Sequence, residues 1–423
     1  MFFRLVKRLL RRRTRIWTIK PNQLNNRVKS PQSNHPAWIG VAIAFYAFIG
    51  IGIAEGGLGV LLPSILSTYH LTPATVTFLF ISQILGYVVA ALTSSLISSR
   101  LGLAWMLLFA SVTLTSALII YAVTAYWFVM VATGTLLGLG IGLIDAGINA
   151  YIVNDQRNAN LIGVLHAFYG IGALLGPAVA TTLLLLGLGW RLIYLVFASV
   201  VGLLVAGVFW TIVHHYVPMT VRLTASDTNA WANLRLALRA PVVLMTGLLL
   251  LVDVGAEASL SNWAYTVQHI GRGTPEVVAG YSISAYWLGL VIGRFSLGRF
   301  MQRFGTVRTV DISLALLTGG LMMWWLLPNQ LLSLPCIGFA LGTIFPATIW
   351  LVPQRVPTQL VPATIGFVTS VASLGAATVP TAAGWVAARA GLETIPALMV
   401  PLVILMAVLH RWLVRHSLKS GKT

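Results

Sequence analysis

Twelve runs of apolar residues, most of them separated by short polar stretches, make up nearly all of the chain after residue 37. Each run exceeds about 18 residues, the length at which an apolar segment can cross a bilayer as a helix. No run alternates apolar and polar residues as a strand would, and a helix satisfies its own backbone hydrogen bonds within lipid. The sequence therefore predicts an all-α membrane protein with twelve transmembrane helices. The predicted spans are 38–66, 74–97, 103–124, 127–152, 161–187, 191–213, 241–268, 276–301, 307–328, 331–352, 361–388 and 393–414.

Landmarks of the first six runs recur in the last six at a constant spacing of 203 residues. Gly86 has its counterpart in Gly289, and Glu55 recurs one residue out of step as Glu257. The same spacing relates Arg100, Gly102, Gly172 and Pro177 to Arg303, Gly305, Gly375 and Pro380. Two tandem six-helix bundles are thus predicted. Parallel repeats of this kind are typical of transporters whose pathway lies between the bundles.

Five segments follow from this division. A basic tail occupies residues 1–37, the bundles occupy 38–213 and 241–414, a linker joins them at 214–240, and a second tail covers 415–423. Basic and apolar residues alternate in the first tail, which suits a helix lying on anionic lipid. A tail without fixed structure, a start codon set too early and an organelle-targeting segment are the alternatives. The tail lacks the apolar core of a secretory signal.

The chain has 58% hydrophobic and only 9% charged residues, whereas soluble proteins carry about 25% charged residues. Of its 27 Lys and Arg, ten lie in the first tail and thirteen more lie on the same side of the predicted topology. This asymmetry predicts that both termini are cytoplasmic, in a multi-pass protein of the cell (inner) membrane. It also explains the net charge of +18 without nucleic acid as a partner. Cys336 is the only cysteine, so we expect no disulfide, no metal site and no cofactor.

Four of the nine acidic residues lie inside predicted spans: Glu55, Asp145, Asp253 and Glu257. A carboxylate in the middle of a bilayer costs about 3 kcal/mol, and such residues usually face a cavity, a partner or a proton pathway. Because desolvation favours the neutral acid, these groups are suited to bind and release protons. An ion pair between helices is the purely structural alternative for each of them.

Asp145 is the strongest candidate for a proton-binding group. Asn149 lies one turn later on the same helical face, and the glycines that precede Asp145 allow a neighbouring helix or a ligand to approach closely. His166 and Tyr169 open the next span. The imidazole is either a hydrogen-bonded structural group or a part of the site.

Asp253 and Glu257 are four residues apart and share a helical face, so two charges there would repel each other unless one is neutralised. Arg294, on the following span, is the only cation within an apolar run. A bridge between Glu257 and Arg294 is therefore the structural alternative to proton coupling by Glu257.

Amide and aromatic side chains follow these carboxylates, namely Asn262 and Trp263 on the same span and Tyr286 and Trp287 on the next. A sugar ring stacks its C–H face on an aromatic side chain, and its hydroxyls bond to amides and carboxylates. The combination favours a sugar as the solute, although aromatic residues are also common at the membrane boundary.

Two loop motifs resemble a signature of the major facilitator superfamily. They read SLISSRLG and GRFMQRFG, and they carry Ser99 and Gln302 where the family usually has aspartate. The resemblance implies a twelve-helix fold of two pseudo-symmetric bundles, with Arg100 and Arg303 in structural or gating roles. The missing aspartates put the usual charge relay in question.

The segment GLIDAGINAYIVNDQRNANLIGVLHAFYGIGALLGP looks like the branch that holds the fucose/proton symporter and the sodium-dependent glucose transporter-like proteins, and GAEASLSNW and YWLGLVIGR fit the same branch. By this resemblance Asp145 occupies the acidic position implicated in proton coupling. Glu55 lies one turn from a second such position, and His166 replaces a glutamine. The AVATT that follows Gly176 and Pro177 differs from the glycines of drug/proton antiporters.

We expect a secondary active transporter that moves a small polar solute, with a sugar favoured, by alternating access and proton symport. Its partners would be the solute, the coupling proton or sodium in its place, and the lipid bilayer, with the protein acting as a monomer. The expected proton-coupling residues are Asp145, Glu257 and Glu55. The expected solute-binding residues are Asn149, His166, Tyr169, Asn262, Trp263 and Trp287. The expected structural or gating residues are Arg100, Arg294, Arg303, Asp253, Gly176 and Pro177.

Efflux of an amphipathic compound by proton antiport is the alternative, and proton flow in the opposite direction would reveal it. A membrane receptor that transports nothing and a membrane enzyme are weaker interpretations. The sequence has no nucleophile and base at catalytic spacing and no Gly-rich nucleotide loop, so we do not expect an enzyme.

Overall fold

The computed structural model describes residues 38–154, 161–220, 230–327, 330 and 332–420, and every regular element within them is helical. Twelve helices in these ranges are long and apolar enough to cross a membrane. The predicted all-α fold class with twelve spans is thereby confirmed. The spans are α1 Trp38–Gly56, α2 Pro73–Leu101, α3 Leu103–Val123, α4 Trp127–Ile152, α5 Gly163–Leu185, α6 Trp190–Val213, α7 Pro241–Gly271, α8 Glu276–Phe304, α9 Thr306–Leu326, α10 Ser333–Gln354, α11 Thr358–Ala390 and α12 Thr394–His416.

Some predicted segments lie wholly or partly outside the described residues. These are the basic tail 1–37, the middle of the linker and the last residues of the second tail. Two short helices, Val217–Thr220 and Ala230–Ala237, flank the undescribed middle of the linker.

The first predicted span, 38–66, is two helical segments in the structure. Helix α1 ends at Gly56, and a second apolar helix, Leu58–Thr68, continues the chain. The break falls at Gly57, where a Cβ would lie 2.5 Å from the ring of Phe197. Two consecutive glycines weaken a helix by about 1 kcal/mol each. The apolar run was continuous, so hydropathy alone could not locate this break.

Helices pair in the same way in both halves of the chain. Helix α1 packs along α5 and α2 along α4, while α7 packs along α11 and α8 along α10. A Cβ at Gly86 would overlap the backbone oxygen of Thr135 on α4, and one at Gly289 would overlap that of Pro335 on α10. Glycines at these crossings let the helix backbones touch. The 203-residue spacing in the sequence thus corresponds to a repeated packing arrangement.

The glycines that end the two loop motifs adopt the same backbone conformation. Gly102 ends the helix of α2 at φ 89° and ψ 156°, and Gly305 ends α8 at φ 80° and ψ 155°. This region is essentially restricted to glycine because a Cβ would clash with the backbone. The motif glycines are therefore required for the sharp turns into α3 and α9.

The two halves contact each other mainly through α5 with α8 and α2 with α11. Trp385 Nε1 on α11 donates to Thr77 Oγ1 on α2 at 3.2 Å, and the hydroxyls of Thr182 and Tyr281 lie 2.9 Å apart between α5 and α8. All four residues lie at the end of the helices opposite the two motif turns. The halves are therefore closed against each other at this end.

Candidate functional site

Three acidic side chains from different helices lie near one another in the middle of the spans. Glu55 on α1 interacts electrostatically with both Asp145 on α4 and Glu257 on α7. All three are partly exposed, although their helices are apolar. Solvent therefore reaches a polar cluster that both halves of the chain contribute to.

Asp145 accepts hydrogen bonds on both carboxylate oxygens. Tyr87 Oη on α2 donates to Oδ2 at 2.6 Å, and Asn149 Nδ2 donates to Oδ1 at 2.8 Å and to the backbone oxygen of Asp145 at 2.9 Å. The four-residue spacing of Asp145 and Asn149 is thus realised as a contact. Sequence reasoning missed Tyr87. Its ring can approach α4 closely because Gly142 has no side chain, and a Cβ at Gly142 would lie only 3.1 Å from the ring.

Glu55 Oε2 accepts a hydrogen bond from Tyr169 Oη on α5 at 2.9 Å. The ring of Tyr169 meets the ring of Trp287 on α8 edge to face, with centroids 6.1 Å apart. Tyr169 therefore links the first-half carboxylate to an aromatic side chain of the second half. His166, one turn earlier, is exposed, packs edge-on against Phe48, and lies within electrostatic range of Asp145.

Glu257 pairs with Arg294, the ion pair that the sequence suggested as the alternative to proton coupling by Glu257. Arg294 Nη2 lies 3.7 Å from Glu257 Oε2, which is long for an ion pair, and the side chains are 23% and 14% exposed. Tyr286 Oη donates to the backbone oxygen of Glu257 at 3.2 Å. Asp253, one turn earlier on α7, is fully buried, and neither of its oxygens has a hydrogen-bond partner among the described residues.

Trp263 packs between the halves instead of facing the cluster. It is fully buried, its Nε1 donates to the backbone oxygen of Pro380 at 2.9 Å, and its ring meets Phe80 edge to face. In this conformation Trp263 offers a solute neither an exposed ring face nor a free N–H. Asn262, its neighbour, is partly exposed. Sequence spacing placed both residues near the site but could not distinguish their orientations.

Of the six expected structural or gating residues, Arg294 and Asp253 lie at the acidic cluster, and the other four lie at the motif turns or in α5. Arg100 and Arg303 are exposed at the motif turns that end α2 and α8. Gly176 lies where α5 crosses α1, with its Cβ position 2.7 Å from the backbone oxygen of Ile53. Pro177 follows inside α5. A gating role for these four residues stays a prediction.

Tyr87→Phe is expected to lower the initial rate of solute uptake about tenfold. A hydrogen bond to a charged group contributes about 1.5–3 kcal/mol, and phenylalanine lacks the hydroxyl that donates to Asp145 Oδ2. The initial uptake rate would be measured in vesicles that carry the variant. Tyr46→Phe is the matched control, because Tyr46 Oη donates to the backbone oxygen of Val200 at 2.6 Å. Equal losses in both variants would contradict a specific role of Tyr87.

A family model described as Major Facilitator Superfamily matches residues 41–377 of the chain and, in a second alignment, 272–422. The chain belongs to the major facilitator superfamily. The resemblance carried by the two loop motifs is therefore confirmed. As a superfamily member, the chain is a multi-pass membrane transporter of a small solute and not an enzyme.

Two related proteins align with most of the chain. "Bypass of stop codon protein 6" of Saccharomyces cerevisiae is 25% identical over 387 residues, covering 83% of this chain and 77% of that protein. The glucose/mannose transporter GlcP of Bacillus subtilis is 23% identical over 349 residues, covering 80% of this chain and 85% of that protein.

Crystal structures of the nucleoside transporter NupG have the same fold as this superfamily member. A point mutant of NupG matches with a TM-score of 0.72 at 14% identity, covering 89% of this chain and 99% of the NupG chain. Another NupG structure matches with a TM-score of 0.70 at 14% identity, over 89% and 98%. At this identity the match supports the fold alone.

Proposed function

We propose that this protein is a proton symporter of a small polyhydroxylated solute, a sugar or a sugar-bearing compound. The observation that carries the proposal is the carboxylate of Asp145, held by Tyr87 and Asn149 within a partly exposed cluster in the middle of the spans. The names of GlcP and NupG agree with such a solute, since glucose, mannose and the ribose of a nucleoside all present ring hydroxyls.

Asp145 would bind the coupling proton, with Glu257 and Glu55 as further proton-binding groups. Adding a proton converts one oxygen of Asp145 from an acceptor into a donor, so the hydrogen bonds from Tyr87 and Asn149 must rearrange. Because Tyr87 lies on α2 and Asp145 on α4, such a rearrangement alters the contact between two helices. Protonation of Asp145 would in this way change how α2 packs against α4.

The solute would be held between the halves. Asn149, His166 and Asn262 would bond to its hydroxyls, and Tyr169 would contact its ring. Trp287 is buried here, and Trp263 packs against Phe80 of the first half, so these two rings would join the site only when the halves move. Alternating access by rocking of the halves around this site is the mode expected of parallel repeats.

The orientation in the membrane follows from the basic residues. With both termini in the cytoplasm, the end at which Thr77 meets Trp385 is the outer one. The conformation described here would then be closed to the outside, with the acidic cluster reached from the cytoplasm. We place the protein in the cell (inner) membrane as a monomer.

External pH recorded in de-energised vesicles that carry the protein tests the proposal. Each of a panel of monosaccharides and nucleosides would be added in turn, with vesicles lacking the protein as the control. Symport predicts that at least one solute makes the medium more alkaline. Acidification by an added compound would support efflux by antiport instead. Solute uptake without any pH change would contradict proton coupling and lead to the same measurement with a sodium gradient.

A further inference from the structure

Asp253 is the most deeply buried acidic side chain among the described residues. It is fully buried on α7, and both carboxyl oxygens lack a hydrogen-bond partner in the described parts of the chain. A charged carboxylate without a partner is far more costly in such a place than a neutral acid. This environment is therefore suited to a carboxyl group that carries a proton in this conformation.

The fold does not need a carboxyl group at this position. Glu257 recurs from Glu55 at a spacing of 202 residues, and the same spacing relates Asp253 to Ile51 on α1. Ile51 is a buried member of the apolar core. An aliphatic side chain thus fills the equivalent place in the first half, so packing alone gives no reason for the acid in the second half.

The charged groups that face Asp253 are Glu257 and Arg294. Tyr286 on α8 is a further titratable neighbour, since both Asp253 and Glu257 act on it electrostatically. Arg294 has five N–H donors, yet its one ion pair in the described residues is the single 3.7 Å contact with Glu257. The guanidinium is therefore loosely held next to two carboxyl groups.

Asp253 and Glu257 are four residues apart on α7, a rise of about 6 Å. An arginine side chain on the neighbouring helix can shift its guanidinium by such a distance through rotamer changes. Arg294 can thus pair with either carboxylate. A proton on Asp253 and the guanidinium at Asp253 are alternative ways of neutralising the same charge.

We propose that Asp253 binds a second coupled proton, in the second half of the chain, and that Arg294 exchanges between Glu257 and Asp253 as this proton leaves and returns. Here Asp253 holds the proton and Arg294 pairs with Glu257. When the proton leaves for the open side, the guanidinium replaces it at Asp253, and the partly exposed carboxylate of Glu257 is left to solvent. The next proton returns Arg294 to Glu257. The inference rests on the proton symport proposed above, and it raises the number of coupled protons from one to two.

Potentiometric titration of the purified protein in detergent, from about pH 5 to pH 9, counts the protons that each variant binds. Between these two pH values, Asp253→Asn is expected to release one proton fewer than the wild type, because its amide cannot titrate. Asp253→Ile, which copies Ile51 of the first half, should show the same deficit and keep the fold. A titration curve equal to that of the wild type in both variants would overturn the proposal.

Coupled flux provides the second readout, with the solute that causes alkalinisation in the panel above as the probe. With two coupled protons, the accumulation ratio at a fixed potential is the square of the one-proton ratio. Asp253→Asn should therefore accumulate the solute to about the square root of the wild-type ratio. An unchanged ratio in this variant overturns the second site and leaves the proposed symport intact. Absence of proton flux in the wild type would instead count against the symport itself.

Discussion

Asp145→Asn is expected to lower accumulation of the solute roughly 300-fold while leaving solute exchange across the membrane. The amide keeps the volume of the carboxyl group and can still bond to Tyr87 and Asn149, but it cannot bind a proton. One proton moving through about 150 mV supplies roughly 3.5 kcal/mol, which supports a gradient of roughly 300-fold. If Asp145 carries one coupling proton, the accumulation ratio of the variant should fall by this factor. Accumulation in energised vesicles, compared with counterflow in de-energised ones, measures both properties.

Asp311→Asn is the matched control for this substitution. Asp311 lies in the first turns of α9, close to the second motif turn. Its Oδ1 lies 3.5 Å from His410 Nε2 and 3.4 Å from Arg411 Nη2 on α12. It has no contact with the acidic cluster among the described interactions, so we expect accumulation to persist in this variant. If Asp145→Asn accumulated the solute as well as Asp311→Asn does, coupling through Asp145 would be wrong. Glu55 and Glu257 would then be the next candidates.

The twelve spans could be predicted because lipid permits few alternatives. A helix is the only single segment that satisfies its backbone within a bilayer, so apolar length alone was a strong signal. The break at Gly57 escaped prediction because the apolar run continues past this residue. Hydropathy describes one segment at a time and carries no information about its neighbours.

Local spacing predicted part of the candidate site. Asn149 meets Asp145 because residues four apart share a helical face. Arg294 meets Glu257 because it was the only cation available within a span. These two contacts needed no knowledge of the tertiary arrangement.

The remaining contacts of the cluster depend on helix crossings. Tyr87 is 58 residues from Asp145, and Tyr169 is 114 residues from Glu55. No sequence spacing predicts such pairs, although the glycines of α2 and α4 indicated that two helices would approach closely there. The orientation of Trp263 depends in addition on the conformational state, since it packs where the halves are closed.

Gly138→Ala is expected to destabilise the protein strongly. A Cβ at Gly138 would overlap the backbone oxygen of Gln83 on α2, with the Cα of Gln83 also only 3.0 Å away. Backbone atoms cannot move aside as a side chain can, so α2 and α4 must separate. Overpacking typically costs 1–3 kcal/mol, and we expect about 3 kcal/mol or more here. The thermal unfolding midpoint and the yield of monodisperse protein in detergent would measure the effect.

Gly319→Ala is the matched control, because a Cβ at this exposed position on α9 meets no atom within 4 Å. Alanine favours a helix over glycine by about 1 kcal/mol, so this variant should be as stable as the wild type or slightly more so. Equal midpoints for the two variants would contradict the close crossing of α2 and α4. Because Asp145 follows Gly138 by two turns, separating these helices should also lengthen the 2.6 Å bond from Tyr87. Any Gly138→Ala protein that does fold is therefore expected to show the reduced uptake rate of Tyr87→Phe, which would connect the repeated glycine packing directly to Asp145.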